Sequence, residues 1–459
     1  MIPANVKAIL AVTLEGGFAK NGTLPWIIPE EMAFFKEMTL NHVVVMGYKT
    51  FESMHKKELK NRINYILKET DVNSQVIEIA KKHPDKTVWV IGGNKTFYKT
   101  FNLFSEIYIS IVSGSYDFDM KCEAMMPLLE YIKSIYYGDQ STEIKDSSLC
   151  GLYAVPYNKK HVDKFITYKC GKMNMDEYQL TRIMKDICKR DTKIDRTMVG
   201  TKSIFGMHIR FDLNDSFPLS TIRPGFFKGI FYELQWFLRG QTDNEILQKN
   251  GVHIWDGNSS REYLDKYNLK HLQVNDCGPI YGFQWRHWGA NYIDCKTDYT
   301  GRGMDQVANL IQEIKTNPSS RRLIINGWNV LDLHKMSLPP CHTMYQFYVD
   351  SGNLSCHLYQ RSSDVMLAGH WNVSSAALMC YLIAATCKLQ LGELFVSYGD
   401  SHIYTNHMQH YNNLIMRNPA PYPRLQVVNA KESLDAYEYD DIVLSEYRTY
   451  PKIDLVMNQ

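Results

Sequence analysis

The sequence contains no C-x-x-C pair, although it has ten cysteines in 459 residues. Zinc ribbons use that spacing, and disulfide frameworks are typical of short secreted chains. The cysteines are instead scattered between Cys122 and Cys387. Their distribution predicts neither a zinc site nor a set of disulfides, and we expect no metal. It favours a reducing compartment, so we expect a cytoplasmic protein.

An excess of charge of one sign is also missing. Lys and Arg number 51 against 49 Asp and Glu, which gives a formal net charge of +2. Overall charge therefore provides no argument for binding to nucleic acid or to a membrane surface. We expect no nucleic-acid partner, and any anionic ligand must be bound by local clusters.

The sequence lacks a hydrophobic run long enough to cross a bilayer, which takes about 20 residues. The longest apolar run, "AALMCYLIAATC", extends from Ala376 to Cys387 and predicts a core helix that ends at Gly392. The amino-terminal segment "MIPANVKAILAVTLEGG" has neither the charged flank nor the cleavage site of a signal peptide, and we predict a first strand there. We therefore expect no membrane association.

No Pro- or Ser-rich linker and no internal repeat divides the chain. Its length predicts two to three domains. Residues 1–170 alternate β-type and helix-type runs, which predicts an α/β domain with a mostly parallel sheet. After a short linker at 171–176, residues 177–459 have an α+β pattern that includes a hairpin around "DSGN".

A single carboxylate stands in the first turn of a predicted helix at 29–38. The apolar residues Met32 and Phe35 lie on one face of that helix by spacing. Glu31 follows Trp26 closely, so we expect a partly desolvated carboxylate whose natural partner is a protonated heterocycle. A glutamate that only complements the helix dipole is the alternative.

The stretch "VWVIGGNKTF" predicts a buried strand that leads through Gly92 and Gly93 into a helix. Such a junction aims backbone N–H groups at an anion such as a pyrophosphate. A plain tight turn explains the two glycines equally well.

Four arginines near turns or strand ends, Arg196, Arg321, Arg322 and Arg361, are able to hold a phosphate bidentately. Each of them alone is better explained as a solvated surface charge, but their association with "PPCH" and "YQRSSD" favours a phosphate site. Cys341, in "PPCH", becomes a nucleophile only as a thiolate, and a nearby Arg361 would favour that form. By count alone, most of the ten cysteines are structural thiols.

From about residue 177 to the end, the chain resembles thymidylate synthase. The resemblance rests on segments that follow the order and spacing of that family: "YELQWFL", "IWDGN", "GPIYGFQWRHWGA", "SRRLIINGWN", "PPCH", "SCHLYQRSSDV" and "YGDSHIYTNH". It implies that the Cys341 thiolate adds to carbon 6 of dUMP. Carbon 5 then captures the methylene of 5,10-methylenetetrahydrofolate, which divides one difficult alkylation into addition and elimination steps.

The same resemblance assigns further residues to the synthase reaction. Glu233 and Tyr281 would transfer protons, and Asn372 would act with them. Trp255 and Asp364 would contact the folate. The dUMP-binding residues would be Arg196, Arg321, Arg322, His342, Gln360, Arg361, Ser362, Asp364, Asn372, His402 and Tyr404. Arg321 and Arg322 would reach across from a second subunit, so the resemblance implies a homodimer through the synthase domain.

Asn372 bears on which base is bound, because its amide offers one donor and one acceptor to uracil, whereas a carboxylate would suit cytosine. The segment "LAGHWN" at 367–372 departs from the family's usual "LGLPFN". A changed wall beside Asn372 would admit water to the methylene intermediate. Hydroxymethyl-dUMP is therefore the alternative product.

Residues 5–168 resemble dihydrofolate reductase, through "GTLPWIIPEEM", "VVVMGYKTFESM" and "VWVIGGNKTF". The resemblance implies a folate pocket formed by Ala11, Trp26, Glu31, Phe35, Arg62 and Ser110, in which Glu31 assists protonation. It implies NADPH binding by Gly47, Lys49, Thr50, Lys68, Gly92, Gly93 and Asn94. Tyr48 and Phe97 depart from the family pattern, so a degraded reductase that serves as a scaffold is an alternative.

Together the two resemblances predict a bifunctional dihydrofolate reductase-thymidylate synthase. The synthase reaction releases dihydrofolate, and the first domain would reduce it with NADPH. A nucleic-acid-binding protein that has lost catalysis is a further alternative, but the balanced charge and the presence of Cys341, Asn372 and Glu233 argue against it.

Overall fold

The computed structural model describes residues 4–137, 151–157, 164–194, 198–214 and 216–455. It divides into two compact units. The amino-terminal unit comprises Met1–Asn174 with the short segments Met416–Ala420 and Arg448–Tyr450, and the carboxy-terminal unit comprises the remainder. Within the described ranges no helix has both the length and the hydropathy needed to cross a membrane.

The amino-terminal unit is built on a seven-stranded sheet of order β4-β3-β5-β1-β6-β9-β8. Its strands, with a separate β2/β7 pair, are β1 (Val6–Thr13), β2 (Gly17–Ala19), β3 (Val43–Gly47), β4 (Ile63–Leu67), β5 (Val88–Gly92), β6 (Glu106–Val112), β7 (Met120–Lys121), β8 (Leu152–Pro156) and β9 (Phe165–Lys172). Its helices are α1 (Pro29–Thr39), α2 (Tyr48–Ser53), α3 (Val72–Lys82), α4 (Asn94–Thr100) and α5 (Met126–Tyr136).

Four of the strand pairs in this sheet are parallel, and β9 pairs antiparallel with both β6 and β8. The predicted mostly parallel sheet is confirmed. Its central strands read as continuous apolar runs because helices cover both faces of a parallel sheet. In β3, for example, the four residues from Val43 to Met46 are fully buried.

The carboxy-terminal unit has a five-stranded sheet of order β10-β14-β13-β12-β11. The strands of this unit are β10 (Thr201–Asp212), β11 (Ile324–Asn326), β12 (His342–Asp350), β13 (Asn353–Asp364), β14 (Gln390–Tyr404), β15 (Arg424–Val427) and β16 (Ile442–Ser445). Its helices are α6 (Met175–Cys188), α7 (Phe227–Leu238), α8 (Asn244–Lys249), α9 (Arg261–Lys266), α10 (Tyr281–Arg286), α11 (Gln306–Thr316), α12 (Gly369–Cys387) and α13 (Met408–Ile415).

The predicted hairpin forms between β12 and β13, where Asp350 pairs with Asn353. The two residues between them, Ser351 and Gly352, have φ of 50° and 81°. Positive φ at both central positions is the geometry of a type I′ turn, whose twist suits adjacent antiparallel strands. The hairpin places the residue before β12 beside the carboxyl-terminal half of β13.

Two local predictions are wrong. Helix α12 ends at Cys387 and not at Gly392, and Lys388, which caps it, is in the left-handed conformation with φ of 57°. Gly392 lies within β14, where a Cβ atom would stand 2.4 Å from the Ser355 hydroxyl, so its small size serves the strand contact. On α1, Met32 is 55% exposed, whereas Glu31 faces inward at 6%. A polar side chain therefore occupies the buried face that the apolar spacing assigned to Met32.

Candidate active sites

Cys341 lies immediately before β12, at the point where the chain enters the sheet of the carboxy-terminal unit. Its backbone N–H donates to the Tyr281 hydroxyl at 2.7 Å, and its carbonyl accepts from the Arg361 N–H at 2.9 Å. Tyr281 is buried on α10, and burial raises the pKa of its hydroxyl well above the ordinary value. A protonated phenol therefore lies against the predicted nucleophile.

The Arg361 side chain is held by the loop that leads to Cys341. Its guanidinium donates to the carbonyl of Pro340 at 2.9 Å and to that of Pro339 at 2.7 Å. The group also lies over the Trp328 ring, 5.4 Å from the centroid. These contacts fix a positive charge on the loop that leads to Cys341, and they leave other N–H groups of the guanidinium for an anion.

Three predicted dUMP-binding residues adjoin Cys341. His342 is buried, its Nδ1 lies 2.9 Å from the Tyr345 hydroxyl, and its ring is hydrogen-bonded to the Asn372 side chain. Burial lowers the pKa of His342 to about 4, so the ring is neutral at pH 7. Gln360 pairs with His342 across the sheet, and its Oε1 is buried with no hydrogen-bond partner among the described residues. An acceptor of this kind is suited to a ligand N–H.

The next group of predicted residues lies at the carboxyl ends of β13 and β14. Ser362 is two residues before Asp364 on β13, so the two side chains are on the same face of the sheet. Asp364 pairs with His402 in the parallel register. The Asp364 carboxylate accepts from two backbone N–H groups at 3.2 and 3.1 Å, and burial raises its pKa. The His402 ring lies 5.2 Å from the Tyr404 ring, and its Nδ1 lies 2.7 Å from Asp400.

Glu233 is buried on α7 between two indole rings. Trp255 donates to Oε1 at 2.9 Å and Trp371 donates to Oε2 at 2.6 Å. Burial raises the pKa of Glu233, and the two hydrogen bonds oppose that shift. The Trp255 ring lies 6.1 Å from that of Tyr281, which joins this carboxylate to the Cys341 group. Sequence reasoning missed Trp371, although it directly precedes Asn372.

Two of the predicted phosphate-binding residues, Arg321 and Arg322, are not brought to this group. Arg321 and Arg322 are exposed just before the edge strand β11. Neither guanidinium bonds to a predicted site residue within the described ranges. Arg196 lies outside the described residues.

Glu31 and Ser110, two of the predicted folate residues of the amino-terminal unit, are in contact. Burial raises the pKa of this carboxyl, and a hydrogen bond from the Ser110 hydroxyl lowers it. The Ser110 hydroxyl lies 2.9 Å from that of Thr167. Trp26 and Ala11 belong to one apolar cluster, and the buried Trp26 Nε1 has no partner among the described residues. The arrangement presents a desolvated carboxyl and a free indole donor to a polar heterocycle.

Arg62 is fixed beside Phe35 at the end of α1. Its Nε donates to the Thr39 hydroxyl at 2.8 Å, and its guanidinium carbon lies 5.8 Å from the Phe35 centroid. Burial lowers the pKa of Arg62, although the group stays charged at neutral pH. Thr39 was missed by the sequence reasoning, because no pattern distinguishes it from an ordinary helix-terminal threonine.

The predicted NADPH residues follow three adjacent parallel strands, β4, β3 and β5, whose carboxyl ends meet at one edge of the sheet. A Cβ atom on Gly47 would lie 2.7 Å from the Thr96 hydroxyl, and one on Gly93 would lie 3.0 Å from that of Thr50. These positions need glycine, as expected where backbone approaches a ligand closely. The remaining predicted residues at this edge are the exposed Lys49 and Lys68, with Gly92 and Asn94, whose Oδ1 is buried and without a partner among the described residues. This edge fits a dinucleotide.

No group of three or more His, Cys, Asp or Glu side chains in the described ranges is placed to hold a metal ion. None of the described cysteines forms a disulfide.

Both units match known families. The profile of the family described as "Thymidylate synthase" matches residues 178–459, and that of "Dihydrofolate reductase" matches residues 5–147. The protein called "Bifunctional dihydrofolate reductase-thymidylate synthase" in Paramecium tetraurelia is 39% identical over 466 residues, which cover 98% of each chain.

Relatives of the same name resemble the chain over most of its length. The protein of Zea mays is 36% identical over 510 residues, covering 99% of this chain and 96% of the relative. That of Plasmodium berghei (strain Anka) is 34% identical over 491 residues, covering 91% and 83%. Nothing in these similarities favours a hydroxymethylase or a degraded reductase.

Proposed function

Because the chain belongs to the bifunctional dihydrofolate reductase-thymidylate synthase family, we propose which of its residues perform each of the two reactions. The enzyme methylates dUMP to dTMP with a folate as carbon donor, and it reduces dihydrofolate. The observation that most supports the residue assignment is the contact of Cys341 with Tyr281 and Arg361.

The Cys341 thiolate adds to carbon 6 of dUMP, and carbon 5 then attacks the methylene of 5,10-methylenetetrahydrofolate. Carbon 5 loses its proton, Cys341 is eliminated, and the tetrahydrofolate donates the hydride that turns the methylene into a methyl group, so that it leaves as dihydrofolate. The positive charge of Arg361 favours the thiolate. Tyr281 and Glu233 exchange protons with the ring as the bond to carbon 5 forms and as Cys341 is released. Both groups are buried, which keeps bulk water from competing for these protons.

The nucleotide is recognised along its length. The Asn372 amide matches the carbonyl and N–H of uracil, and the buried acceptor of Gln360 and the neutral His342 complete the polar wall around the base. Arg361 and Ser362, with Arg196, bind the phosphate. The ribose and the folate are bound by His402, Tyr404, Asp364 and Trp255.

A homodimer supplies the rest of the phosphate site through Arg321 and Arg322 of a second subunit. The dimer is supported by large apolar side chains that are exposed on one face of the carboxy-terminal sheet. The paired residues Met344 and Tyr359 are 37% and 41% exposed, and Tyr348 is 63% exposed. An exposed apolar patch of this kind marks an interface.

Mixing two inactive variants tests the dimer. Cys341→Ser and Arg322→Leu homodimers each lack a complete site, whereas a heterodimer contains one site with both residues intact. Subunit exchange should therefore restore synthase activity. Absence of recovery after demonstrated exchange would show that Arg322 does not act across the interface.

In the reductase site, Glu31 binds the pteridine and assists its protonation, and Arg62 pairs with the glutamate carboxylate of folate. Ala11, Trp26, Phe35 and Ser110 form the wall of this pocket. NADPH supplies the hydride when it is bound. Its binding residues are Gly47, Lys49, Thr50, Lys68, Gly92, Gly93 and Asn94.

The product assay tests the proposal for the synthase reaction. The purified chain is incubated with dUMP, 5,10-methylenetetrahydrofolate and NADPH, and the nucleotide is weighed by mass spectrometry. We expect dTMP, together with NADPH oxidation that follows the release of dihydrofolate. A product heavier than dTMP by one oxygen atom would replace the synthase with a hydroxymethylase.

A further inference from the structure

The Glu233 carboxylate is bound by one indole N–H at each oxygen. Trp255 donates to Oε1 from the loop after α8, and Trp371 donates to Oε2 from the first turn of α12. The shorter of the two bonds, at 2.6 Å, is that of Trp371. Hydrogen bonds to an ionised acceptor are shorter and stronger than neutral ones, so the distance fits a carboxylate that is charged.

We propose that Trp371 is a positioning residue of the synthase reaction, which holds the second oxygen of Glu233 and fixes the plane of its carboxylate. The inference rests on the proposed role of Glu233 in proton transfer. Sequence reasoning assigned a role to Asn372 but none to Trp371, the residue before it in "LAGHWN".

The facing helix keeps space for this indole. Gly229 lies on α7 one turn before Glu233, and a Cβ atom at that position would stand 2.7 Å from Cη2 of Trp371. It would also stand 2.5 Å from Cδ1 of Phe226, whose ring packs 6.4 Å from that of Trp371. Glycine in a helix interior is destabilising relative to alanine. Its presence here is explained by the room that the Trp371 ring needs.

In the described part of the chain, the hydrogen bond to Oε2 of Glu233 comes from Trp371. The titratable side chains that face Glu233 are Tyr281 from α10 and Tyr345 from β12. Neither hydroxyl is hydrogen-bonded to Glu233 in the described structure: that of Tyr281 lies 2.7 Å from the Cys341 backbone nitrogen, and that of Tyr345 lies 2.9 Å from Nδ1 of His342. Without Trp371, one oxygen of a buried carboxylate loses its hydrogen bond, which disfavours the ionised form and frees the carboxylate to rotate.

Trp371→Phe tests the proposal, since it keeps an aromatic ring and removes the N–H. We expect kcat for dTMP formation to fall about 10-fold or more, as for the loss of a hydrogen bond to a charged group. The KM for dUMP should change less than about 2-fold. The acid limb of the kcat profile should move to higher pH by about one unit, because the lost donor favoured the carboxylate.

Three controls separate this role from simple packing. Trp288→Phe changes another half-buried tryptophan of the same unit and should leave kcat and the pH profile unchanged. NADPH-dependent dihydrofolate reduction by the same sample measures the amount of active amino-terminal unit, and the near-UV circular dichroism spectrum reports whether the carboxy-terminal unit is folded. If Trp371→Phe fails to fold, benzothienylalanine at position 371 keeps the shape of indole and replaces the N–H with sulfur, and the same loss is expected.

The outcomes distinguish this inference from the proposed function. An unchanged kcat and pH profile in a folded Trp371 variant would overturn the positioning role. If Glu233→Gln also retained full activity, the proposed role of Glu233 itself would be wrong. A loss in Trp371→Phe without a shift of the acid limb would assign Trp371 to packing alone.

Discussion

Substituting Gly229 by alanine should impair the synthase and lower the stability of the fold by a smaller factor. In a helix interior the change ordinarily stabilises by about 0.5–1 kcal/mol. Here the new Cβ would lie 2.5 Å from Phe226 and 2.7 Å from Trp371. Overpacking of this kind costs about 1–3 kcal/mol, so the free energy of unfolding should fall by about 0–2.5 kcal/mol after that gain is subtracted.

The consequence for activity is larger. The Trp371 ring must move by roughly 1 Å to restore an ordinary carbon–carbon contact of about 3.5–4.0 Å. A shift of that size lengthens the 2.6 Å bond to Glu233 beyond hydrogen-bonding distance. The loss of about 1.5–3 kcal/mol corresponds to a fall in kcat of roughly 10- to 100-fold.

The assay is dTMP formation at saturating dUMP and folate, with dihydrofolate reduction as an internal reference. Gly369→Ala is the matched control, because a Cβ there would stand 3.6 Å from its nearest neighbour, an ordinary contact. The double variant Gly229→Ala with Trp371→Phe should lose little more than either single variant, since both break the same bond. Full additivity, or normal activity in a folded Gly229→Ala enzyme, would refute this reasoning.

Three further predictions concern other groups. Ser110→Ala removes the hydrogen bond that lowers the pKa of Glu31, so Glu31 should stay protonated to a higher pH. The decline of reductase kcat/KM with rising pH should therefore occur at higher pH, and an unchanged pH profile would contradict the prediction. Arg62→Leu should raise the KM for dihydrofolate about 10- to 100-fold with little change in kcat, and a normal KM would exclude its contact with folate. Glu177→Gln replaces the carboxylate that accepts from the backbone N–H and the hydroxyl of Thr221, so the free energy of unfolding should fall by about 1–3 kcal/mol. The measurement is urea unfolding followed by synthase activity, and equal urea midpoints for variant and wild type would contradict the prediction.

Strands and turns could be predicted from the sequence where a single requirement, such as burial on both faces or a positive φ, determines which residues a segment contains. Continuous apolar runs such as that of β3 predict strands of a parallel sheet, because both faces are covered. The hairpin followed from the turn chemistry of Ser351 and Gly352. The predicted end of α12 at Gly392 was wrong for a physical reason. A left-handed residue after a helix is usually glycine, but here Lys388 takes that conformation.

Contacts between distant segments could not be predicted in the same way. Trp371 meets a carboxylate 138 positions earlier in the chain, and the meeting depends on how α12 packs on α7. The Thr39 contact with Arg62 likewise depends on which face of α1 turns inward, and apolar spacing predicted another face. The resemblance identified Cys341, but its contact with the Tyr281 hydroxyl comes from tertiary packing.

The two-site account is tested most directly by both activities of one variant, Cys341→Ser. The protein is given dUMP, 5,10-methylenetetrahydrofolate and NADPH, and separately dihydrofolate and NADPH. The account predicts no dTMP in the first mixture and wild-type NADPH oxidation in the second. Formation of dTMP, or loss of both activities with the fold preserved, would contradict it.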